Sequence, residues 1–291
     1  MNNRYRLSAS VYERETEEEK IEPQKIIFLS VEGNVTEKEY FEGISVNRKK
    51  LGINNRIDVE ILKRSRRDTN SAPQQVIELL EEYIQLRELG REKLIEDIPE
   101  DFVQKYGIEF IQSFLDDSES ISSRKKNAFL TELRQIGYDI SYRKYLNTYK
   151  KDLDEFAILI DRDMQTHSEI NMLECIRYCQ KKGYKCYIVN PCFEFWLLLH
   201  LSDVKDEYQE QMDLIKLNPK ISGNHTFVSK EVSEKAHHGK GGINFKKNYL
   251  PNVELAIERA KTFESEEEKL IDNVGCNVWK LLEDMKRYVA I

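Results

Sequence analysis

A chain of 291 residues can form one large domain, or a core with a smaller unit embedded in it. Its 40% hydrophobic residues mark it as globular, while 33% charged residues and a mean hydropathy of -0.63 predict a wet surface and much helix. A formal net charge of -7 argues against a passive nucleic-acid coat, but not against a nuclease, where a local basic patch and metal ions outweigh the global sign.

The first 24 residues are polar and charged and read as an N-terminal arm. No signal peptide opens the chain, and no apolar run approaches the roughly 20 residues of a membrane helix, so the expected location is the cytoplasm. Lys25 to Val31 forms a first buried strand, closing on Glu32 and the turn glycine Gly33. Thr36 then caps a helix running to about Lys50, and the Thr36-x-x-Glu39 spacing predicts a capping box. Tyr40, Phe41 and Ile44 give that helix its buried face. Arg56 to Leu62 alternates polar and apolar residues, which suits an edge strand. The basic run Lys63-Arg64-Ser65-Arg66-Arg67 follows, either a solvated face or a phosphate contact at a strand end.

From about Asn70 to Lys151 the pattern turns helical. Val76, Leu79, Leu80, Tyr83, Ile84 and Leu86 mark one helix, Phe102 to Leu115 another, and Phe129, Leu130, Leu133 and Ile136 a third. A strand-to-strand connection does not need some 80 residues, so this is a helical insertion. Near its end Tyr138, Tyr142, Tyr145 and Tyr149 lie among Arg143, Lys144, Lys150 and Lys151. Such interleaving serves either amphipathic packing or base stacking with phosphate contact.

The sheet resumes with Phe156-Ala157-Ile158-Leu159-Ile160-Asp161-Arg162-Asp163, an apolar strand ending in two carboxylates. In extended structure Asp161 and Asp163 share a side of the chain, and their repulsion is relieved by a cation. Starting a loop and capping the next helix is the alternative. That helix runs from Ser168 to Lys182 and stops at Gly183; Tyr184 to Asn190 is another strand. The five cysteines lack CxxC spacing and a nearby histidine pair, which favours core thiols over a disulfide framework or a zinc site. Glu194 sits in a hydrophobic helix start after Pro191, where it either binds metal or complements the helix N-terminus. The basic, glycine-rich loop Lys235 to Gly242 lacks P-loop spacing; it is read as a mobile loop bringing Lys240 toward phosphate. Helices around Leu255 to Ala260 and Val278 to Leu282 close the chain.

These elements predict an α/β fold with a parallel sheet flanked by helices. The expected division is an arm (1–24), a first core part (25–69), the helical insertion (70–153), a second core part (154–225), and a basic loop with C-terminal helices (226–291). Glu32, Asp161, Asp163 and Glu194 all follow strands, so they can converge at one sheet edge. Carboxylates are hard oxygen ligands suited to Mg²⁺ or Mn²⁺, and ions so held can activate water at a phosphodiester, with a lysine neutralising developing charge.

The strand ending in Glu32-Gly33 and the later Asp161-Arg162-Asp163 resemble the glutamate and DxD signatures of the Toprim fold. Within that superfamily the chain is similar to the RloB-like family. The residues that carry this are Glu32-Gly33-x-x-Thr36-Glu37-x-x-Tyr40-Phe41, Asp161-Arg162-Asp163, and Asn190-Pro191-Cys192-Phe193-Glu194-x-Trp196-Leu197-Leu198-x-His200. The resemblance implies a metal-dependent nuclease of an anti-phage abortive-infection system, acting on nucleic acid, with tRNA preferred over DNA. It also implies an AAA- or ABC-type ATPase partner and a homodimer. Glu32, Asp161, Asp163 and Glu194 would hold the metal, Glu32 doubling as an acid or base, and Lys240 would assist catalysis. Glu37 matches a recurrent family position, which helix-start charge explains equally well. The competing expectation is a regulatory module whose insertion docks on the ATPase. A topoisomerase or primase is disfavoured, since the chain has no zinc ribbon and no tyrosine that stands out as a nucleophile.

Overall fold

The computed structural model describes residues 23–33, 35–62, 72–88, 98–116, 121–135, 152–223, 225–237 and 242–289. The strands are β1 (Lys25–Val31), β2 (Ile57–Ile61), β3 (Glu155–Asp161), β4 (Lys185–Asn190), β5 (Lys220–Ser222), β6 (His225–Thr226) and β7 (Gly275–Cys276). Helices in the first half are α1 (Thr36–Val46), α2 (Pro73–Glu88), α3 (Glu100–Tyr106), α4 (Ile108–Asp116) and α5 (Ser123–Gln135). The second half adds α6 (Glu169–Lys182), α7 (Phe193–Leu201), α8 (Val204–Glu207), α9 (Met212–Leu217), α10 (Phe227–Ala236), α11 (Val253–Ala260) and α12 (Val278–Arg287).

Five strands form one sheet in the order β2-β1-β3-β4-β7, with β1 to β4 parallel and β7 antiparallel at the edge. The apolar runs of β1, β3 and β4 follow from burial on both faces. Ile27, Leu29 and Val31 pack with Ala157 and Leu159 against α1, α7 and the C-terminal helices. Ile26 and Phe28 pack with Ile158 and Ile160 against α2 and α6. β2 keeps the alternation expected of an edge strand.

Right-handed crossovers fix the rest. From β1 the chain passes through α1 on one face to β2; from β3 it passes through α6 on the opposite face to β4. The chain therefore leaves β1 and β3 in opposite directions, which opens a crevice beyond their carboxyl ends. Helix α2 lies against the sheet: the Ser30 hydroxyl donates to Val76 O at 2.8 Å. Glu81 on α2 accepts from Tyr178 and Tyr184 at 3.0 and 2.8 Å, tying it to α6. Helices α3 to α5 instead surround Phe129 in a cluster separate from both sheet faces.

The region after residue 226 packs into the sheet-facing core through Phe245, Tyr249, Val253 and Ile257, and supplies β7. Asn277 prolongs this two-residue strand with its side chain. Its Oδ1 accepts from Ile188 N at 2.7 Å and its Nδ2 donates to Cys186 O at 3.0 Å, so the exposed edge of β4 is covered. Gly275 is required there, because a Cβ would collide with the Glu264 backbone.

Several details differ from the sequence expectations. The helix predicted over Phe102 to Leu115 is broken at Gly107, whose φ of 84° suits glycine, giving α3 and α4. The Thr36 capping box is absent: α1 begins on Val35 without a side-chain cap. Glu39 instead accepts the backbone N–H of Ile243 at 2.5 Å, so a distant chain segment took the carboxylate that the local motif had claimed. Ser168 does cap α6 through Asn171 N, and Gly183 ends it in the left-handed region.

Candidate functional site

Glu32 is the first residue beyond β1, and Asp161 the last of β3. The two strands are neighbours, with Val31 opposite Leu159, so both side chains emerge at the crevice. One Glu32 oxygen accepts the backbone N–H of Asp161 at 3.1 Å, which fixes the glutamate from behind. Helix α1 contributes Glu37 from its first turn. That carboxylate is buried and accepts the Gly33 N–H at 3.1 Å. A Cβ at Gly33 would collide with it, so glycine permits the approach. Glu194 enters from the first turn of α7, which follows β4 after the cis Asn190–Pro191 bond.

These four carboxylates act on one another. Burial, followed by the charges of Glu32, Glu37 and Glu194, pushes the Asp161 carboxyl well above the usual carboxylate range; a hydrogen bond from the Phe193 backbone opposes this. Phe193 opens α7, so the positive end of that helix faces the same group. Burial and the carboxylates of Glu194 and Asp161 likewise push the Cys192 thiol up.

Asp163 is placed differently from the extended geometry predicted for it. Strand β3 stops at Asp161, and Asp163 has a φ of 20°. Its carboxylate turns onto the following loop, accepting from Gln165 N at 3.2 Å and Thr166 Oγ1 at 2.9 Å. Between them Arg162 is buried and donates to Ile271 O and His167 O, both at 2.7 Å. Burial lowers the pKa of this guanidinium. The loop thereby returns His167 to the site: its Nδ1 lies 3.0 Å from Asp161 O and its Nε2 3.7 Å from Glu32 Oε1.

The structure brings Glu32, Asp161 and Glu194 to one edge of the sheet, and adds two neighbours, one set aside and one not considered in the sequence reading. Glu37 was assigned to helix-start charge, although its spacing of four from Gly33 was a usable signal. His167 sits six residues after Asp161, a distance with no strand or helix period to mark it. Lys240, the basic run 63–67 and the tyrosines from 138 to 149 lie outside the described residues. Of the other cations read from the sequence, Lys235 is ion-paired with Glu207 at 2.6 Å. All five cysteines are buried and free, and Cys175, Cys179 and Cys186 belong to the core under α6.

The carboxylates and their mutual repulsion suit this edge chemically to a hard divalent cation. Among the described residues no three His, Cys, Asp or Glu side chains close around one point. Repulsion between like charges opposes such closure until a cation compensates it. The class defined so far is an α/β protein with a carboxylate site at the switch point of a mostly parallel sheet. The sequence model of RloB-like proteins matches residues 27–285, and the chain belongs to that family. Searches of curated proteins and of solved structures found no match. Among the described residues no helix is long and apolar enough to cross a membrane.

Proposed function

We propose that this RloB-like protein is a Toprim-type nuclease, dependent on Mg²⁺ or Mn²⁺, that hydrolyses phosphodiester bonds. RNA, and tRNA in particular, is the preferred substrate over DNA. The protein acts in the cytoplasm as the effector of an anti-phage abortive-infection system, under control of an ATPase partner. The observation that carries the catalytic reading is the convergence of Glu32, Glu37, Asp161 and Glu194 at the β1–β3 crevice, felt in the raised Asp161 carboxyl.

Glu32, Asp161 and Glu194 would hold the cation, with Asp163 joining if its carboxylate leaves Gln165 and Thr166. A bound divalent cation supplies Lewis acidity toward a phosphate oxygen and lowers the pKa of a coordinated water. The chain's own residues set the frame. The Asp161 N–H orients Glu32, the Phe193 N–H orients Asp161, and the N-terminus of α7 favours an incoming phosphate anion. Lys240 is the proposed neutraliser of charge developing on the phosphate.

The test is cleavage of tRNA and of plasmid DNA by the wild type and Asp161→Ala, with Mg²⁺ or Mn²⁺ and with EDTA. Metal-dependent cutting by the wild type alone is expected; equal, metal-independent nicking by both proteins would sink the reading. A second reading, a docking module for the ATPase, is favoured by the separate aromatic cluster of α3 to α5. Gel filtration with a candidate ATPase partner, plus calorimetry with metal, separates the two: a stable complex without metal uptake selects the docking role.

A further inference from the structure

Arg162, the cation built into the loop after β3, is spent on two backbone carbonyls, so the phosphates of a substrate need cations from the rim of the crevice. One part of that rim is the turn from α9 into β5. Asn218 ends α9 in the left-handed region, with a φ of 41°. Its side chain fixes the turn from both sides: Nδ2 donates to Cys192 Sγ at 3.3 Å, and Oδ1 accepts from Val228 N at 2.9 Å. Cys192 immediately precedes α7 and feels the charges of Glu194 and Asp161, so this contact places the turn beside the carboxylates. From the β3 loop, Gln165 Nε2 donates to Leu217 O and Asn218 O at 3.1 and 3.3 Å, which joins the two segments into one surface.

That surface combines charge with apolar area. Met164, Leu217 and Ile221 are 38, 57 and 47% exposed, and all three residues of β5 face solvent. Lys216 and Lys220, two positions either side of Asn218, make no ion pair among the described residues. Lys230 and Lys235 on the neighbouring α10 are instead paired with Glu234 and Glu207. Single exposed apolar residues are ordinary, but a group of them beside a site carries meaning. Lysines with apolar side chains between them match an unpaired nucleic-acid strand, whose phosphates take the cations and whose base faces take the apolar area. A duplex hides those faces in its stack. We infer that the α9–β5 turn, with Met164, is the substrate lip of the carboxylate site. Lys216 and Lys220 contact phosphates, and Met164, Leu217 and Ile221 lie against the bases next to the scissile bond. The inference rests on the nuclease reading above and deepens it, because it names the form of substrate taken: a single strand or the loop of a folded RNA.

The experiment uses the full chain in EDTA, where no metal-dependent cutting competes, with a fluorescent oligouridylate and an RNA duplex of equal length as probes. Fluorescence anisotropy over a salt series compares the wild type with Lys216→Gln/Lys220→Gln and with Leu217→Ser/Ile221→Ser. The control, Lys182→Gln/Lys185→Gln, removes the same charge at the amino end of β4, the opposite edge of the sheet. Thermal melts confirm that each variant is folded. Expected for Lys216→Gln/Lys220→Gln is oligouridylate affinity down about tenfold or more at about 0.1 M salt, with the salt slope smaller by about 1.4, as for two lost single-strand phosphate contacts. Leu217→Ser/Ile221→Ser should lose about fivefold on the oligouridylate at an unchanged slope, with duplex binding unmoved, and the control should match the wild type. No binding by the wild type, wild-type affinity in Lys216→Gln/Lys220→Gln, or an equal loss in the control overturns the lip, while metal-dependent cleavage by the wild type would still uphold the nuclease. Lysine-dependent binding by a protein that cuts neither tRNA nor plasmid overturns the nuclease reading and keeps the lip as a binding surface. A wild type that elutes as a dimer, with Leu217→Ser/Ile221→Ser eluting as a monomer, assigns the apolar patch to a second copy and overturns the lip.

Discussion

Arg162 offers the sharpest test of how the β3 loop is held. Its guanidinium is 4% exposed and donates to two carbonyls, Ile271 O through Nε and His167 O through a terminal nitrogen, each at 2.7 Å. Hydrogen bonds from a charged donor contribute about 1.5–3 kcal/mol each, so the pair is worth about 3–6 kcal/mol before corrections. Two corrections lower this. Ile271 O keeps a weaker donor, Asn190 Nδ2 at 3.5 Å, and removing a buried cation recovers part of its desolvation cost. Arg162→Met, which retains the aliphatic stem, should therefore lose about 3 kcal/mol, a fall in Tm of about 6 °C for a chain of this size. Arg162→Lys should lose about half as much, since one ammonium cannot serve carbonyls in two directions. Urea denaturation of the three proteins at neutral pH measures this. A loss below about 1 kcal/mol in Arg162→Met would refute the clamp, and with it the argument that the loop fixes His167.

Three further outcomes follow from the same geometry. Asp161→Asn removes the carboxylate that Glu32, Glu37 and Glu194 repel, so without metal its Tm should rise by about 2 °C, roughly 1 kcal/mol; Mn²⁺ should raise the Tm of the wild type and leave this variant unmoved in scanning fluorimetry. Gly33→Ala forces a Cβ against the Glu37 carboxylate, and should cost about 1 kcal/mol in urea denaturation and weaken Mn²⁺ binding by calorimetry; unchanged affinity would remove Glu37 from the site. Burial lowers the His200 pKa to about 3, with Nδ1 against Trp196 O and Nε2 against the Tyr40 hydroxyl. A folded pKa below the unfolded value of about 6.5 means the unfolded state binds more protons in between, so stability is full above that value and falls by about 1.4 kcal/mol per unit on acidification. Between pH 6.5 and 5 the wild type should lose about 2 kcal/mol more than His200→Gln; parallel curves would show that His200 does not carry this linkage.

How much of this was legible beforehand depended on whether the signal was local. Strands β1, β3 and β4 read directly because burial on both faces makes most of their central positions apolar, and Gly183 and Ser168 marked the ends of α6 through the cap chemistry of single residues. The convergence of Glu32, Asp161 and Glu194 was legible for the same reason, since carboxyl ends of parallel strands share an edge. What failed was what a distant segment decides. Glu39 fitted a capping box, but the backbone of Ile243 claimed it. Asp163 fitted strand alternation, but hydrogen bonds to Gln165 and Thr166 turned it away. Strand β7 has two residues and no periodicity; only the edge of β4 and the Asn277 side chain make it a strand.

Three unfavourable groups of this molecule sit together at the end of β3. Within a few residues lie a carboxyl raised by its neighbours at Asp161, a buried guanidinium at Arg162 and a left-handed backbone at Asp163. Each is destabilising in isolation, and each is held by a bond from another element: Phe193 N–H on α7, the carbonyl of Ile271 from the C-terminal region, and Pro191 O after β4. A loop needed only to connect β3 with α6 could have used a short polar turn at lower cost. Groups held against their own preferences by the rest of a fold are characteristic of sites selected for function. That argues for this edge as the working part of the protein independently of which cation or phosphodiester it takes, and it makes the Arg162 clamp a measure of how strongly the C-terminal region enforces the site's geometry.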